Sequence, residues 1–382
     1  MPLVAIMTID ARPFEIGVLS ALSVAPGVFV GLLLGGWVDR SAKRPILIGA
    51  DLVRAALLAT VPVAAYFDFL AMPQLYLVAA GVGAATVLFQ IADHAYLPAL
   101  LGKSDLLEGN AKLGTTDAIA EIGGPSLAGI LVGLVTAPMA LAFDAVSYVI
   151  SAAFLRTIRR RELPTKPEAE TQALGRDFWI GLRAGFGHRL VRPLMMVDAN
   201  TAFFGGFYLS LYMIYMIETL ALPPAIVGTL IGVGGVGALF GAIISRHLQR
   251  YLGVGPALVV LLAVGQSAAL LIPLASGPEW VVVSCLAVHQ LLGDAMLVAY
   301  YIQAVSLRQT VLPQHVLARA NAATHVFTGV LVPLGALAAG GIASAVDVRA
   351  AVWTSVLGGL AAPVILATSP ILRLRELPIE GP

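Results

Sequence analysis

Apolar residues fill this chain in long runs, and short polar segments separate the runs. Each run has about 20 residues or more, the length of helix that crosses a bilayer core about 30 Å thick. The pattern therefore predicts eleven membrane-spanning helices. Their approximate bounds are 14–38, 45–67, 74–96, 111–135, 138–158, 193–217, 223–247, 254–275, 278–301, 320–345 and 349–372.

One polar segment is much longer than the others and divides the apolar runs into two groups. It covers residues 159–192, and its first part is rich in Pro and Glu, as linkers are. Its second part, residues 177–189, has the amphipathic pattern of a helix that lies on the membrane surface. We therefore expect a helix bundle over 1–158, a cytoplasmic linker over 159–192 and a second bundle over 193–382.

Basic residues orient these spans. Of the 23 Lys and Arg residues, 21 fall in segments that alternate onto one face of the membrane, and only Arg12 and Arg349 fall on the other. Such a bias marks the cytoplasmic face. We therefore expect a multi-pass protein of a bacterial inner (plasma) membrane with its C-terminus in the cytoplasm.

Composition supports a membrane protein and excludes several other classes. The chain is 59% hydrophobic and 12% charged, against about 25% charged in a soluble domain. A net charge of +1 argues against nucleic acid as a partner. Its one cysteine, Cys285, lies in an apolar run, and no phosphate-binding loop or metal-binding motif occurs. We expect no cofactor, no metal and no enzymatic activity.

The two groups of spans show weak internal similarity. The pattern of Gly35–Arg44 returns 206 residues later in Gly241–Arg250, and Gly129 matches Gly340 after 211 residues. Repeats of this kind favour two parallel six-helix halves, with chance similarity of apolar helices as the alternative. The counterpart of span 193–217 would begin before Met1. We therefore expect residues 1–9 to be the tail of a first helix that is mostly absent, through a misassigned start or a real truncation.

Charged side chains within the spans are candidates for proton coupling, because a charge at membrane depth is costly and is usually functional or paired. Asp117 and Glu121 are four residues apart on one helix face, and Glu121 lies about 15 Å from the start of its span. Two adjacent desolvated carboxylates suit reversible protonation. The proton-coupling candidates are Glu121, Asp117, His289, Asp294 and Asp144. Hydrogen bonding and packing are the alternative role for each of them.

Three further groups of residues are candidates for structural or gating roles. Asp51 and Arg54 are three residues apart and could form an intramembrane ion pair. Phe204, Tyr208 and Tyr212 could line a binding cavity, although an aromatic stripe also suits packing or contact with lipid. The third group is a helix-kink motif formed by Gly123, Gly124, Pro125 and Gly129.

The polar hairpin between the first two spans resembles the loop between the second and third helices of major facilitator superfamily transporters. The residues that carry this resemblance are Gly35, Asp39, Arg40, Lys43 and Arg44. Segments 96–100, 142–148 and 306–313 are similar to parts of the enterobactin-exporter and macrolide-efflux branch. The chain departs from the family pattern at Ala42, where Gly is usual, and at Ser245, where the second copy usually has an acid.

The resemblance implies an all-α major facilitator fold of two parallel six-helix bundles, with about 11 transmembrane helices in this chain. It also implies alternating access and proton-coupled efflux of a lipophilic drug-like or siderophore-like molecule. Asp39 would then stabilise the helix ends at the cytoplasmic gate. The expected partners are a small-molecule substrate, protons and the lipid bilayer, and we expect a monomer. A non-transporting truncated membrane protein and an importer of the same fold remain alternatives.

Overall fold

The computed structural model describes residues 1–101, 105–158 and 174–376, and helices are the regular elements in these ranges. The first part of the chain forms six α-helices. They are α1 (Pro2–Ile9), α2 (Pro13–Arg40), α3 (Lys43–Tyr66), α4 (Met72–Leu100), α5 (Leu106–Leu134) and α6 (Ala137–Thr157). The predicted all-α architecture is confirmed.

The rest of the chain adds a short amphipathic helix and a second set of long helices. They are α7 (Leu174–Gly187), α8 (Val191–Ile214), α9 (Pro224–Leu252), α10 (Val254–Ala268), α11 (Leu271–Leu274), α12 (Glu279–Val311), α13 (Gln314–Ala345), α14 (Val348–Gly359) and α15 (Ala361–Ala367). A π-helical turn, Tyr215–Thr219, extends α8. A 3₁₀ turn, Pro370–Arg373, follows α15.

Ten helical stretches in the described residues are long and apolar enough to cross a membrane. The predicted span 193–217 corresponds to α8, which has the required length but is not among the ten. Its polar residues Asp198, Asn200 and Thr201 lower its hydropathy. The multi-pass character expected from the sequence is therefore confirmed. Ten stretches of the described residues meet the length and hydropathy criteria, against the eleven spans predicted.

The turn between α2 and α3 is shorter than the sequence predicts. We expected about six residues between the helices, but α2 continues to Arg40 and α3 begins at Lys43, so only Ser41–Ala42 lie between them. The Arg40 Nε donates a hydrogen bond to the Gly36 carbonyl at 2.9 Å, which satisfies one of the last carbonyls of α2. Pro45 fits the first turn of α3, where its missing N–H has no helical partner to lose.

The helices pack in two groups that meet along two interfaces. In the first group, α2 and α3 both pack on α4, and α3 packs on α6. In the second group, α8 packs on α13, while α9 and α10 pack on α12. Between the groups, α2 packs against α13 and α5 packs against α9.

The linker helix belongs with the second group. The sequence predicts an amphipathic helix over 177–189, and α7 occupies Leu174–Gly187. It packs on α13, where the rings of Phe186 and Phe327 meet edge to face with centroids 6.1 Å apart. Residues 159–173, the first part of the predicted linker, lie outside the described residues.

Candidate functional site

A cavity of about 310 Å³ lies among α8, α10, α12 and α14. Most of its wall is aromatic or aliphatic, and a few polar side chains interrupt it. Those polar side chains are Thr201, Tyr208, Tyr212, Gln266, His289, Asp294, Tyr301 and Ser355. Such a wall, apolar with a few convergent polar groups, is typical of small-molecule sites. Phe204, Tyr208 and Tyr212, the residues that the sequence suggests for a cavity, all line it.

Two stacked tyrosines form one side of this cavity. Tyr208 and Tyr212 are four residues apart on α8 and therefore share a helix face. Their rings stack with centroids 4.2 Å apart. The Tyr208 hydroxyl donates a hydrogen bond to Oε1 of Gln290 on α12 at 2.8 Å, which fixes the ring relative to the opposite wall.

His289 reaches the cavity from α12 and is not fully satisfied by the protein. Its side chain is 8% exposed, and its Nδ1 has no hydrogen-bond partner. The ring centroid lies 6.3 Å from that of Tyr208 and 6.3 Å from that of Tyr212. This nitrogen has almost no exposed surface and lies beside Gly293 of its own helix, so its missing partner is a cost within the fold and does not mark a contact with a ligand.

Asp294 follows on the same helix, lines the cavity and packs against α9. Gly234 of α9 makes room for it, because a Cβ at that position would contact the Asp294 carboxylate and the Gln290 amide. The half-buried Asp294 carboxylate also lies within electrostatic reach of Glu121 on α5. The structure thus brings together one acid from each half of the chain.

A second acidic contact continues from Glu121 within the first group of helices. Asp117 lies one turn before Glu121 on α5, and both side chains are exposed. Asp117 in turn interacts electrostatically with Asp93 of α4. Asp93, Asp117, Glu121 and Asp294 therefore form a series of neighbouring carboxylates, which we call the acid series. The four-residue spacing of Asp117 and Glu121 is a local pattern, whereas no local pattern joins Asp93 or Asp294 to them.

Asp144 lies apart from the acid series. It is exposed on α6 and interacts electrostatically with Arg54. Arg54 and Asp51 form a buried ion pair within α3, and they are 5% and 1% exposed. The Arg54 guanidinium also lies 4.4 Å from the ring centroid of Phe89 and 4.3 Å from that of Tyr148. This arrangement packs the charge between two aromatic faces within the first group of helices.

The hairpin residues occupy the last turns of α2 and the first turn of α3. They are Gly35, Asp39, Arg40, Lys43 and Arg44. Arg44 extends to the end of α6, where its Nε donates to the Leu155 carbonyl at 2.9 Å. The same guanidinium donates to the Arg156 carbonyl at 2.5 Å. Arg44 therefore caps the C-terminus of α6, where a positive charge also favours the helix dipole.

Glycines bring both interfaces into direct backbone contact at the end of the molecule opposite the hairpin. A Cβ on Gly340 of α13 would lie 3.2 Å from the Cα of Gly17 on α2. A Cβ on Gly129 of α5 would lie 3.0 Å from the Cα of Gly228 on α9. Gly17 and Gly228 are 211 residues apart in sequence, as are Gly129 and Gly340. The two contacts are therefore equivalent under the internal repeat.

The predicted helix-kink motif has two different parts. The helix α5 runs unbroken from Leu106 to Leu134 with Pro125 inside it. Added Cβ atoms on Gly123 and Gly124 would meet open space, whereas Gly129 is pressed against α9. Close helix contact therefore explains Gly129 alone.

Comparison with protein families decides which class this arrangement belongs to. A family model described as transmembrane secretion effector matches residues 4–379, almost the whole chain. The chain belongs to the transmembrane secretion effector family. This family is part of the major facilitator superfamily, so the predicted superfamily is confirmed.

Solved structures agree on the fold of the chain. The nucleoside transporter NupG (D323A mutant) gives a TM-score of 0.77 at 12% identity, covering 96% of this chain and 93% of that one. A bacterial homologue of the iron transporter ferroportin, inward-facing, gives 0.70 at 18% identity, covering 96% and 91%. A bacterial homologue of the lysosomal transporter Spinster, inward-facing and occupied, gives 0.69 at 12% identity, covering 96% and 91%. No curated protein sequence matches the chain.

The family match identifies the chain as a membrane transporter of the major facilitator type and not an enzyme. The lipid bilayer and a small-molecule substrate follow from that fold as its partners.

Several residues that make long-range contacts were not in the predicted site. Gln290 binds Tyr208 although 82 residues separate them, so no local pattern indicates the contact. Arg308 and Asp198 form a buried ion pair between α12 and α8. In the sequence, the only sign of that pair is one Asp and one Arg, each alone in an apolar span of the same half.

Proposed function

We propose that this protein exports a small lipophilic molecule from a bacterial cell in exchange for protons, by alternating access. The observation that supports the proposal is the electrostatic interaction of Asp294 on α12 with Glu121 on α5, one acid from each group of helices. Two carboxylates held together in an apolar environment repel each other, and one proton relieves the repulsion. Separation of the halves allows both to ionise, so proton binding and conformation are linked.

The acid series supplies a route by which protons could reach this pair. Asp93 and Asp117 interact with each other, and Asp117 lies one turn from Glu121 on the same helix. Carboxylates at such spacing can exchange protons through intervening water. We propose that Glu121 and Asp294 are the coupling residues and that Asp117 and Asp93 deliver protons to them. Asp144 and His289 are not needed for this route.

The two groups of helices would act as the moving units of the cycle. We propose that residues 1–158 and 193–382 are these units, with the linker between them and the hairpin at the cytoplasmic gate. Arg44, which caps α6, would hold the hairpin to the first unit. With the basic face in the cytoplasm, the glycine contacts close the external end, and the C-terminus is cytoplasmic.

The cavity limits the kind of solute. Its volume of about 310 Å³ lies at the lower end of the range for small-molecule sites, about 300–1,000 Å³. A drug-like molecule, or part of one, fits this volume better than a siderophore does. We therefore propose efflux of the drug-like kind within the enterobactin-exporter and macrolide-efflux branch, by a monomer.

Dye-reported proton movement in energised inside-out vesicles tests this function. Vesicles that contain the protein should release protons when a transported lipophilic compound is added, and vesicles with Glu121→Gln should not. Glu279→Gln is the matched control, because Glu279 is an exposed acid at the start of α12, away from the cavity. Compound accumulation without proton release would contradict antiport, and compound uptake in the opposite direction would indicate an importer.

A further inference from the structure

We infer that the cavity among α8, α10, α12 and α14 binds a small organic cation, an ammonium group carrying short aliphatic substituents. The inference names a substrate class for the transporter proposed above and to that extent rests on it. The binding itself requires no proton gradient and no transport, so the two can be tested separately.

The first argument is charge. Asp294 is the carboxylate on the cavity wall, and the described residues that line the cavity include no Lys or Arg. A second carboxylate, Glu121, adds negative potential from the other half of the chain. An anion would therefore be repelled, and a neutral solute would leave the Asp294 charge without a partner in a partly apolar site. A cation removes both costs.

The second argument is the aromatic wall. Tyr208 and Tyr212 are joined there by Phe204, Phe207 and Tyr301. The negative faces of such rings attract ammonium groups, and cages of aromatic rings are the usual means of recognising quaternary ammonium ions. Because the Tyr208 hydroxyl is bound to Gln290, that ring is already positioned before any ligand enters.

The third argument concerns size and the polar groups on the wall. A volume of about 310 Å³ admits a trimethylammonium group and a short chain. Polar side chains on the wall, among them Thr201 and Gln266, can bond to a hydroxyl on that chain. Choline has both parts, a trimethylammonium group and a hydroxyl two carbons away, so we choose it as the probe and not as the identified substrate.

The test compares choline with 3,3-dimethylbutan-1-ol, which has the same shape but carbon in place of the charged nitrogen. Isothermal titration calorimetry on the detergent-purified full chain should show choline binding about tenfold more tightly than the neutral alcohol or better, as a desolvated cation–π contact with a carboxylate nearby implies. Asp294→Asn should reduce this preference to about twofold or less. The control Glu279→Gln should keep it.

A second set of variants tests the inference even if Asp294→Asn does not fold. Tyr208→Leu removes an aromatic face, whereas Tyr208→Phe removes only the hydroxyl that binds Gln290. Choline affinity should fall further in Tyr208→Leu than in Tyr208→Phe. Equal affinities for choline and the alcohol, or a preference that survives Asp294→Asn, would overturn the inference.

The two proposals fail in different ways. In one case choline binds in a way that depends on Asp294, but the protein releases no protons in vesicles. That result would contradict proton coupling and support the cation site. In the other case a neutral substrate causes proton release and choline binds no better than the neutral alcohol. That result would contradict the cation site and support the proposed transport function.

Discussion

Asp294 and Glu121 lie in opposite halves of the chain, and their carboxylates are close enough for their charges to interact. Two carboxylates whose charges repel favour the uptake of one proton, which makes the pair a natural point for proton binding. The sequence predicts the helical pair Asp117 and Glu121, because four-residue spacing is a local property. It does not predict the meeting with Asp294 or Asp93, since the helices involved come together only through the packing of the whole molecule.

At this residue scale, Asp294→Asn and Glu121→Gln should each uncouple transport from protons. A neutral amide keeps the size and polarity of the side chain but cannot bind and release a proton. We expect proton-driven accumulation to fall by about a hundredfold, the size of effect usual for loss of a proton-transfer group. Substrate exchange at equal concentration on both sides should continue, and its loss in both variants would indicate a structural role instead.

The Asp51–Arg54 pair should act on stability. Breaking a buried ion pair by removing one partner typically costs about 3–5 kcal/mol, because the remaining charge is left uncompensated. Asp51→Ala should therefore lower the free energy of unfolding more than the double variant Asp51→Ala, Arg54→Met, which also removes the guanidinium between Phe89 and Tyr148. Denaturation of both purified variants measures this order. A less stable double variant would show that the aromatic contacts of Arg54 outweigh its charge.

At the scale of helices, the apolar runs predict most of the structure, and the ends of helices are where the prediction is wrong. The runs locate the long helices because a bilayer requires about 20 apolar residues per span. The polar hairpin was expected to be a loop of about six residues, yet Ser41–Ala42 alone separate α2 and α3. Polarity marks the membrane surface and not the end of a helix, so α2 continues into the polar region as far as Arg40.

Glycines within the helices should respond in opposite ways to substitution. Gly49 of α3 faces open space, so Gly49→Ala adds helix propensity without a clash and should stabilise the protein by about 0.5–1 kcal/mol. Gly237 of α9 is pressed against the Leu291 backbone of α12, and Gly237→Ala should destabilise it by about 1–3 kcal/mol. Thermal unfolding of the two variants compares them directly. A stabilising Gly237→Ala would mean that α9 and α12 separate readily.

At the scale of the molecule, the internal repeat explains how one end is closed. The contacts Gly17–Gly340 and Gly129–Gly228 seal the two interfaces at equivalent positions. The sequence reveals the match of Gly129 with Gly340, but only packing shows that each meets a glycine of the other half. A transporter that alternates must break both contacts when this end opens.

A bulky residue at one of these contacts should hold that end open. Gly340→Leu places a side chain against α2, whereas Gly341→Leu points into open space and serves as the control. A clash of about 1–3 kcal/mol in the closed state shifts the ratio of open to closed molecules by about fivefold to a hundredfold. Labelling of Ser126→Cys in a Cys285→Ser background, with an impermeant maleimide added at that end, should accelerate in Gly340→Leu alone. Equal labelling rates in both variants would contradict the closure.

The central claim is that protonation of Glu121 and Asp294 sets the conformation of the two halves. Double electron–electron resonance between spin labels at Glu108→Cys on α5 and Arg250→Cys on α9, in the Cys285→Ser background, tests it most directly. The distance distribution should shift between two populations as pH changes, and Glu121→Gln with Asp294→Asn should fix it at one population. A distribution that shifts with pH to the same extent in the double variant would contradict the claim.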